Sequence, residues 1–445
     1  MESPGATPPS SDGTPPASGL TWPETPGVVI AAALDTKGTH VAYLRERLRA
    51  QGLSAIVIDC GLRGGCTAVA PDIGGAAIAQ LAGTDIAELR ASTDRAPALK
   101  AILAGLGQCI RLLDARGLVQ GVIGLGGGTN ATMAARAFAA LRYGCPKVLV
   151  STVVSGDTRP FIGGSDAVLI HSVVDFIGLS APLCASLDRA AVTMKGLIGI
   201  PFWPEPLRRP VIGVTANGAT TAGAEVVEAW LGGQGAETWV FHARGSGGIA
   251  FERLIGEGRI EAALDFATTE VADELLGGLR SAGPTRLDAA AAAGIPQVVV
   301  PGCVDVVNFS EPHTVPPRYS GRSLIHHTPS SVLMRTLPEE NREIGAWIGG
   351  KLARARGPAA VLIPMRGFSS YDAPGSPYHD PAAATAFAEG IAAALTTRPD
   401  IPVRRYDLHI NDAEFARTAC TSLWDLLPCT IATEPGDENG QAIHP

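Results

Sequence analysis

At 445 residues the chain is too long for one typical hydrophobic core, and with 46% apolar and 18% charged residues it has the make-up of a globular protein with ample core material. A formal net charge of −8, from 43 acidic against 35 basic residues, argues against a nucleic-acid or anionic-membrane surface. Eight cysteines with no C-x-x-C pair argue against a disulfide-stapled secreted chain and for a reduced, cytoplasmic one.

Residues 1–26 contain seven prolines among Ser, Thr and Gly and read as a disordered tail without the basic-then-apolar pattern of a targeting peptide. No apolar run approaches the length needed to span a bilayer. From Gly27 short apolar runs alternate with helical patterns. The strands expected are Val28–Leu34, Ala55–Cys60, Gly121–Leu125 and Val148–Thr152, with helices Thr39–Gln51, Ala96–Arg116, Ala131–Arg142 and Gly178–Leu197. Pro201, Pro204, Pro206 and Pro210 then crowd a stretch that cannot continue a helix or a central strand. The pattern restarts with Val211–Thr215, Thr238–His242, Ala262–Phe266, Gln297–Val300, Ala359–Met365 and Val403–His409. The expected organisation is an amino-terminal α/β domain over 27–200, a linker over 201–210, a carboxy-terminal α/β domain over 211–430 and a frayed tail over 431–445. Uninterrupted apolar strands between helices make this two consecutive Rossmann-like domains, each a mostly parallel sheet flanked by helices.

Ligands in such sheets sit beyond the carboxyl ends of the strands. Three turns of the first domain suit an anion there. Asp35-Thr36-Lys37-Gly38 reads as a turn immediately before a helix, where Asp or Thr caps and Lys meets an anion. Gly124-Leu125-Gly126-Gly127-Gly128-Thr129-Asn130 offers backbone N–H groups without a Cβ in the way, although it is neither a Walker loop nor a complete G-x-G-x-x-G. The third turn is Ser155-Gly156-Asp157-Thr158-Arg159, after the run Lys147–Thr152, where Arg159 adds a fork for phosphate or carboxylate.

In the second domain His242-Ala243-Arg244-Gly245-Ser246-Gly247-Gly248-Ile249-Ala250 fits G-x-G-x-x-A, and Asp265 stands where a ribose-binding acid would. That is a nicotinamide-dependent oxidoreductase reading, the most remote of three. Glu270, Asp273, Asp305, Asn308, His326, His327, Arg335, Arg366, Asp372 and His409 place acids, imidazoles and guanidinium groups at successive strand ends. His242, Asp305 and His326 are conceivable metal ligands, but no H-E-x-x-H or paired-cysteine spacing supports them, and metal use stays open.

With those residues in view, the chain resembles the Tm-1-like ATP-binding family from about Val28 to Phe415. The landmarks are Leu34 to Gly38, Ser151 to Pro160, Phe241-His242, Thr268 to Leu275, Asp305 to Phe309, Leu333 to Thr336 with Pro338 to Asn341, Asp372 to Gly375, and His409 to Asp412. The family's glycine loop reads G-L-G-G-S-G-G-T, and the one here is shorter. The resemblance implies ATP bound in the amino-terminal domain, with or without Mg2+, and assembly as a homodimer or higher homo-oligomer. Asp35, Thr36, Lys37, Gly126, Gly127, Gly128, Thr129, Ser155, Gly156, Asp157, Thr158 and Arg159 are then the nucleotide contacts expected. The leading functional expectation is a cytoplasmic ATP-binding protein acting on a small anionic metabolite in the cleft between the domains. His242, Glu270 and His409 would move protons, and Arg366 or Arg335 would orient a carboxylate. The alternative is a non-catalytic, ATP-regulated protein-binding module.

Overall fold

The computed structural model describes residues 21–200, 206–328 and 330–428. The expected end tail from 431, most of the amino-terminal tail and 201–205 of the expected linker lie outside the described residues. The chain divides into two compact units, the first holding 21–161 and 166–200 and the second 162–165 and 206–428 of the described residues. Every strand expected from an apolar run forms, within three residues at either end.

The first unit runs β1 (Gly27–Ala32), α1 (Leu34–Ala50), β2 (Ala55–Asp59), α2 (Gly75–Leu81), α3 (Ile86–Ala91), α4 (Arg95–Ala115), β3 (Val119–Gly126), α5 (Gly128–Ala139), β4 (Lys147–Ser151), α6 (Arg159–Ile162), β5 (Val168–His171) and α7 (Ala181–Ile198). Its five strands are all parallel, in the order β2-β1-β3-β4-β5. Alternate residues of β1 serve two cores: Val28, Ile30 and Ala32 pack with α1 and α7, Val29 and Ala31 with α2, α4 and α5. Burial on both faces is why this strand reads as an unbroken apolar run. Trp22, inside the stretch expected as tail, packs on the second of these cores, with the Arg116 guanidinium 4.5 Å from its ring centre.

The expectation that no apolar run is long enough to span a bilayer does not hold for α4, which at 21 residues is long and apolar enough to cross a membrane by length and composition. Ile102, Leu106, Cys109, Ile110 and Leu113 on that helix are fully buried in the core, which accounts for its apolar character.

The second unit runs β6 (Val211–Ala216), α8 (Thr221–Gly233), β7 (Glu237–His242), α9 (Ser246–Gly256), β8 (Ala262–Asp265), α10 (Thr269–Leu276), α11 (Asp288–Ala293), β9 (Gln297–Val299), β10 (Val306–Phe309), β11 (Leu324–Thr328), β12 (Ser331–Arg335), α12 (Pro338–Leu352), β13 (Ala359–Pro364), α13 (Pro381–Ala394), β14 (Val403–Tyr406) and α14 (Ala413–Trp424). Six parallel strands lie in the order β14-β13-β9-β8-β6-β7. A separate antiparallel sheet, β10-β12-β11, was not foreseen. It joins the main core through Val307, Phe309, Val332 and Met334.

Candidate functional site

The first two anion turns are helix starts, not loops. Helix α1 begins at Leu34, five residues before the expected Thr39, so Asp35, Thr36 and Lys37 form its first turn. Its N-cap is Ala33, which makes no side-chain cap, and the exposed donors are met from elsewhere. The Leu34 N–H donates to Asp59 Oδ1 at 3.1 Å, and the same oxygen accepts from the Gly61 N–H at 2.8 Å. Burial pushes the Asp59 carboxyl above its ordinary value, against those two donors. Asp35 accepts the Arg63 N–H at 2.9 Å, and Lys37 Nζ donates to the Phe176 carbonyl at 3.2 Å.

Helix α5 begins at Gly128, three residues before the expected Ala131, and is built differently. Gly126 at the end of β3 has φ +126, where a side chain would be strained and its Cβ would come within 2.9 Å of Asn130. Gly127, the N-cap, has extended φ and no side-chain cap. A Cβ at Gly128 would meet nothing within 4 Å, and one at Gly127 only Thr152 Oγ1 at 3.9 Å. Among the described residues the N–H groups of Gly128 and Thr129 have no hydrogen-bond acceptor, and they lie at the positive end of the helix dipole. Asn130 folds back, accepting the Ala33 N–H at 3.0 Å and tying this turn to the end of β1.

These two helix starts border a cavity of about 750 Å3 at the carboxyl ends of β1, β2 and β3. In the order β2-β1-β3-β4-β5, the chain reverses direction between β1 and β3, which is where open α/β sheets hold ligands. Asp35, Thr36, Lys37, Gly127, Gly128 and Thr129 line it, six of the residues expected from sequence. Lys37, Arg63, Arg90 and Arg95 bring four cations against two carboxylates, Asp35 and Asp175. Leu62, Leu89, Leu99, Ile102 and Met133 supply an apolar wall. The volume falls within the usual range for small-molecule pockets. Gly126 lies directly behind this surface, and its carbonyl accepts the buried Ser151 hydroxyl.

Ser155, Gly156, Asp157, Thr158 and Arg159 follow β4 on the same sheet edge but are not among the cavity-lining residues. Arg159 is already spanned by Asp157, with Nε to Oδ1 at 2.9 Å and Nη2 to Oδ2 at 2.7 Å. Ser155 Oγ donates to the Thr152 carbonyl at 3.0 Å.

Arg63, Arg90 and Arg95 were missed. Arg63 sits in the turn after β2, where strand-end reasoning could have found it. Arg90 and Arg95 come from the short helical excursion 86–95, which carries no strand-end signal.

In the second unit the four expected catalytic residues are dispersed. His242, at the end of β7, lines a separate pocket of about 420 Å3 with Asn217, Glu225 and Glu228. Its Nδ1 lies 3.3 Å from the Ala216 carbonyl, and burial, with the charges of Arg244 and Arg280, holds the imidazole below its usual value. His409 Nε2 lies 2.9 Å from the Ser369 carbonyl, and its Nδ1 accepts the Asn411 N–H at 3.1 Å. Arg366 is exposed, while Arg335 is buried and bonded to Tyr378 O, Asp305 O and Asp372 Oδ1.

Glu270 is wholly buried. Its Oε2 accepts Arg286 Nε at 2.8 Å, and its Oε1 accepts the N–H groups of Gly245 and Gly248 at 2.7 and 3.0 Å. Burial pushes this carboxyl up against the pull of Arg286 and the two amides. Arg286, also wholly buried, meets Glu252 at 3.0 Å and Asp265 as well. Burial opposes the Arg286 charge, but Asp265, Glu270 and Glu252 outweigh it and hold the guanidinium above its ordinary value.

This geometry removes the basis of the nicotinamide reading. Asp265, expected to meet a ribose, is 1% exposed and bound by Arg286. A Cβ at Gly247 would collide with the His242 carbonyl, and one at Gly248 with the Glu270 carboxylate, so the glycines answer to the chain itself. Among the described residues no group of three or more His, Cys, Asp or Glu could hold a metal ion, and His242, Asp305 and His326 form none.

Residues 26–201 match the N-terminal domain of the uncharacterised protein family UPF0261, and residues 209–427 match its C-terminal domain. A UPF0261 protein of Clostridium tetani is 37% identical over 400 residues, covering 90% of this chain and 98% of that protein. One from Rhizobium meliloti is also 37% identical over 400 residues, with the same coverage. The ToMV resistance protein Tm-1(GCR237) of Solanum lycopersicum is 38% identical over 314 residues, 69% of this chain but 42% of the tomato protein. Among solved structures, a putative UDP-N-acetylglucosamine 2-epimerase from Listeria monocytogenes is similar at 11% identity over 62% of this chain and 79% of that one, with a TM-score of 0.23. At that score the likeness carries nothing about the site. The Tm-1-like resemblance read from the motifs stands, and the chain belongs to the UPF0261 family.

Proposed function

We propose that the amino-terminal unit binds ATP in the cavity at the carboxyl ends of β1, β2 and β3. The observation that carries this reading is the uncapped start of α5, which opens into a cavity with cations at its rim and an apolar wall. Phosphate oxygens would accept the N–H groups of Gly128 and Thr129, with the charge balanced by Lys37, Arg63, Arg90 and Arg95. The base would lie on Leu62, Leu89 and Leu99, backed by the buried Ile102 and Met133. Asp35 and Asp175 are the carboxylates on the lining that would hold a Mg2+ beside the phosphates. Among nucleotides, ATP is the one that the Tm-1-like resemblance implies.

Isothermal titration of the full chain with ATP, with and without Mg2+, tests this directly. Saturable heat is expected. Arg95→Ala should weaken binding about tenfold through loss of a charged hydrogen bond to phosphate. Arg159→Ala should change it within about twofold, because Asp157 already occupies that guanidinium. Absence of saturable heat with ATP under both conditions removes the nucleotide reading.

A further inference from the structure

We infer that the carboxy-terminal unit binds a small oxyanionic metabolite, through a carboxylate or phosphate group, between Arg244 and Arg280 at the carboxyl edge of its six-stranded sheet. The inference does not rest on the nucleotide reading, which concerns the other unit.

Arg244 stands two residues past β7, and Arg280 four residues past α10, the helix that follows β8. In the order β14-β13-β9-β8-β6-β7, the chain reverses between β6 and β8, so these two residues flank the crevice where such a sheet takes ligands. The two segments touch. A Cβ at Gly245, the neighbour of Arg244, would lie 2.8 Å from the Ser281 carbonyl oxygen and 3.4 Å from the Arg280 carbonyl carbon.

Among the described residues neither guanidinium has a hydrogen-bond partner or a carboxylate within ion-pair distance. That sets them apart from the buried arginines of the same unit. Arg286 is held by three carboxylates and Arg335 by Asp372, while the half-buried Arg322 has Glu340 at 2.7 Å. Burial, and then the charge of Arg244, hold the Arg280 guanidinium below its ordinary value, and His242 feels both charges. The charge of the neighbouring carboxylate, Asp273, opposes that fall, but its oxygens are turned to Asn308. Asp273 accepts the Asn308 N–H at 2.9 Å and Nδ2 at 2.7 Å, and burial pushes its carboxyl up to about 7.

Two like charges, one of them half withdrawn from water, raise the energy of the empty site and lower it once an oxyanion sits between them. A guanidinium fork fits a carboxylate or phosphate edge with two parallel hydrogen bonds. Tyr371, whose hydroxyl lies 2.9 Å from His327 Nδ1, and the Cys303 thiol are within the field of Arg280.

The test titrates the full chain at low ionic strength with two probes, malonate and inorganic phosphate, following heat and the thermal midpoint. Saturable binding of at least one probe is expected, weakened by about tenfold or more in Arg244→Gln and in Arg280→Gln. Without probe, Arg244→Gln should melt at or above the wild-type temperature, because its repulsion of Arg280 has been removed, and the ATP titrations of both variants should match the wild type. Malonate binding without phosphate binding would name a carboxylate, and the reverse a phosphoryl group. The inference is overturned if neither probe saturates, if both variants bind like the wild type, or if Arg244→Gln melts lower without probe, which would give that arginine an internal structural partner.

Discussion

Two of the glycine-bearing turns that connect a strand to a helix in this molecule have opposite fates. After β7, Arg244-Gly245-Ser246-Gly247-Gly248 opens α9, and the buried carboxylate of Glu270 fills the anion position by accepting the Gly245 and Gly248 N–H groups. After β3, Gly126-Gly127-Gly128 opens α5, and no side chain among the described residues caps it. By sequence pattern the first is the better fingerprint, with its G-x-G-x-x-A spacing and a downstream acid. By geometry it is the closed one. Glycines in such a turn report that something approaches the backbone closely; they do not say whether it is a ligand or the protein's own carboxylate. A helix N-terminus satisfied from within has no charge left to offer a phosphate.

The sharpest way to break the contrast is to empty the filled turn. Glu270→Ala removes one arm of a wholly buried ion pair and the cap of α9 together. Unpairing a buried charge typically costs about 3–5 kcal/mol, and the low end is expected because Arg286 keeps Asp265 and Glu252. Denaturant unfolding monitored by circular dichroism reads this. A loss no larger than that of an ordinary surface substitution would mean that the carboxylate is not what closes the turn.

That contrast also marks where sequence reasoning stops. The strands were legible because burial on both faces makes β1 and β13 unbroken apolar runs and gives β3, β4 and β6 apolar centres. The starts of α1 and α5 were not, since Asp35-Thr36-Lys37 and Gly128-Thr129-Asn130 carry turn-like residues. What lets α1 start at Leu34 is a hydrogen bond to Asp59, 25 residues away. Half of the expected nucleotide contacts line the cavity, being those at the starts of α1 and α5, whereas Arg90 and Arg95 arrive by an excursion between β2 and β3. The partners that take Glu270 and Asp265 out of solvent meet at Arg286, 16 and 21 residues on, with no periodic or spacing signal. The antiparallel sheet was hidden for a similar reason: its strands carry Asn308, His326, His327 and Arg335, which drew attention as site residues and not as sheet formers.

A pair of matched substitutions sharpens the comparison. Gly248→Ala would push a methyl group into the Glu270 carboxylate, and overpacking of this kind costs about 1–3 kcal/mol. Gly128→Ala places the same methyl group in open space at the first position of α5, where replacing glycine in a helix gains about 0.5–1 kcal/mol. Thermal midpoints of the two variants should therefore move in opposite directions. Equal shifts would show that the turns do not differ in what approaches them.

The converse experiment fills the open turn. Gly127 is the N-cap of α5 with φ −84 and ψ −163, a conformation that aspartate adopts readily, and its Cβ would have room. In Gly127→Asp a carboxylate would accept the leading N–H groups of α5, as Glu270 does for α9. An added cap and a favourable dipole contact together stabilise by about 0.3–1 kcal/mol. The same carboxylate would occupy the place assigned to phosphate and repel it, which at a separation of about 4 Å costs at least about 1 kcal/mol near a protein surface. The expected outcome is a protein that melts slightly higher and binds ATP about tenfold or more weakly by isothermal titration. The two readouts answer different questions. A higher midpoint with unchanged ATP affinity would keep the description of the turn and move the phosphates elsewhere in the cavity. A lower midpoint would mean that the N–H groups of α5 are not free to accept a cap, and the difference between the two turns would go with it.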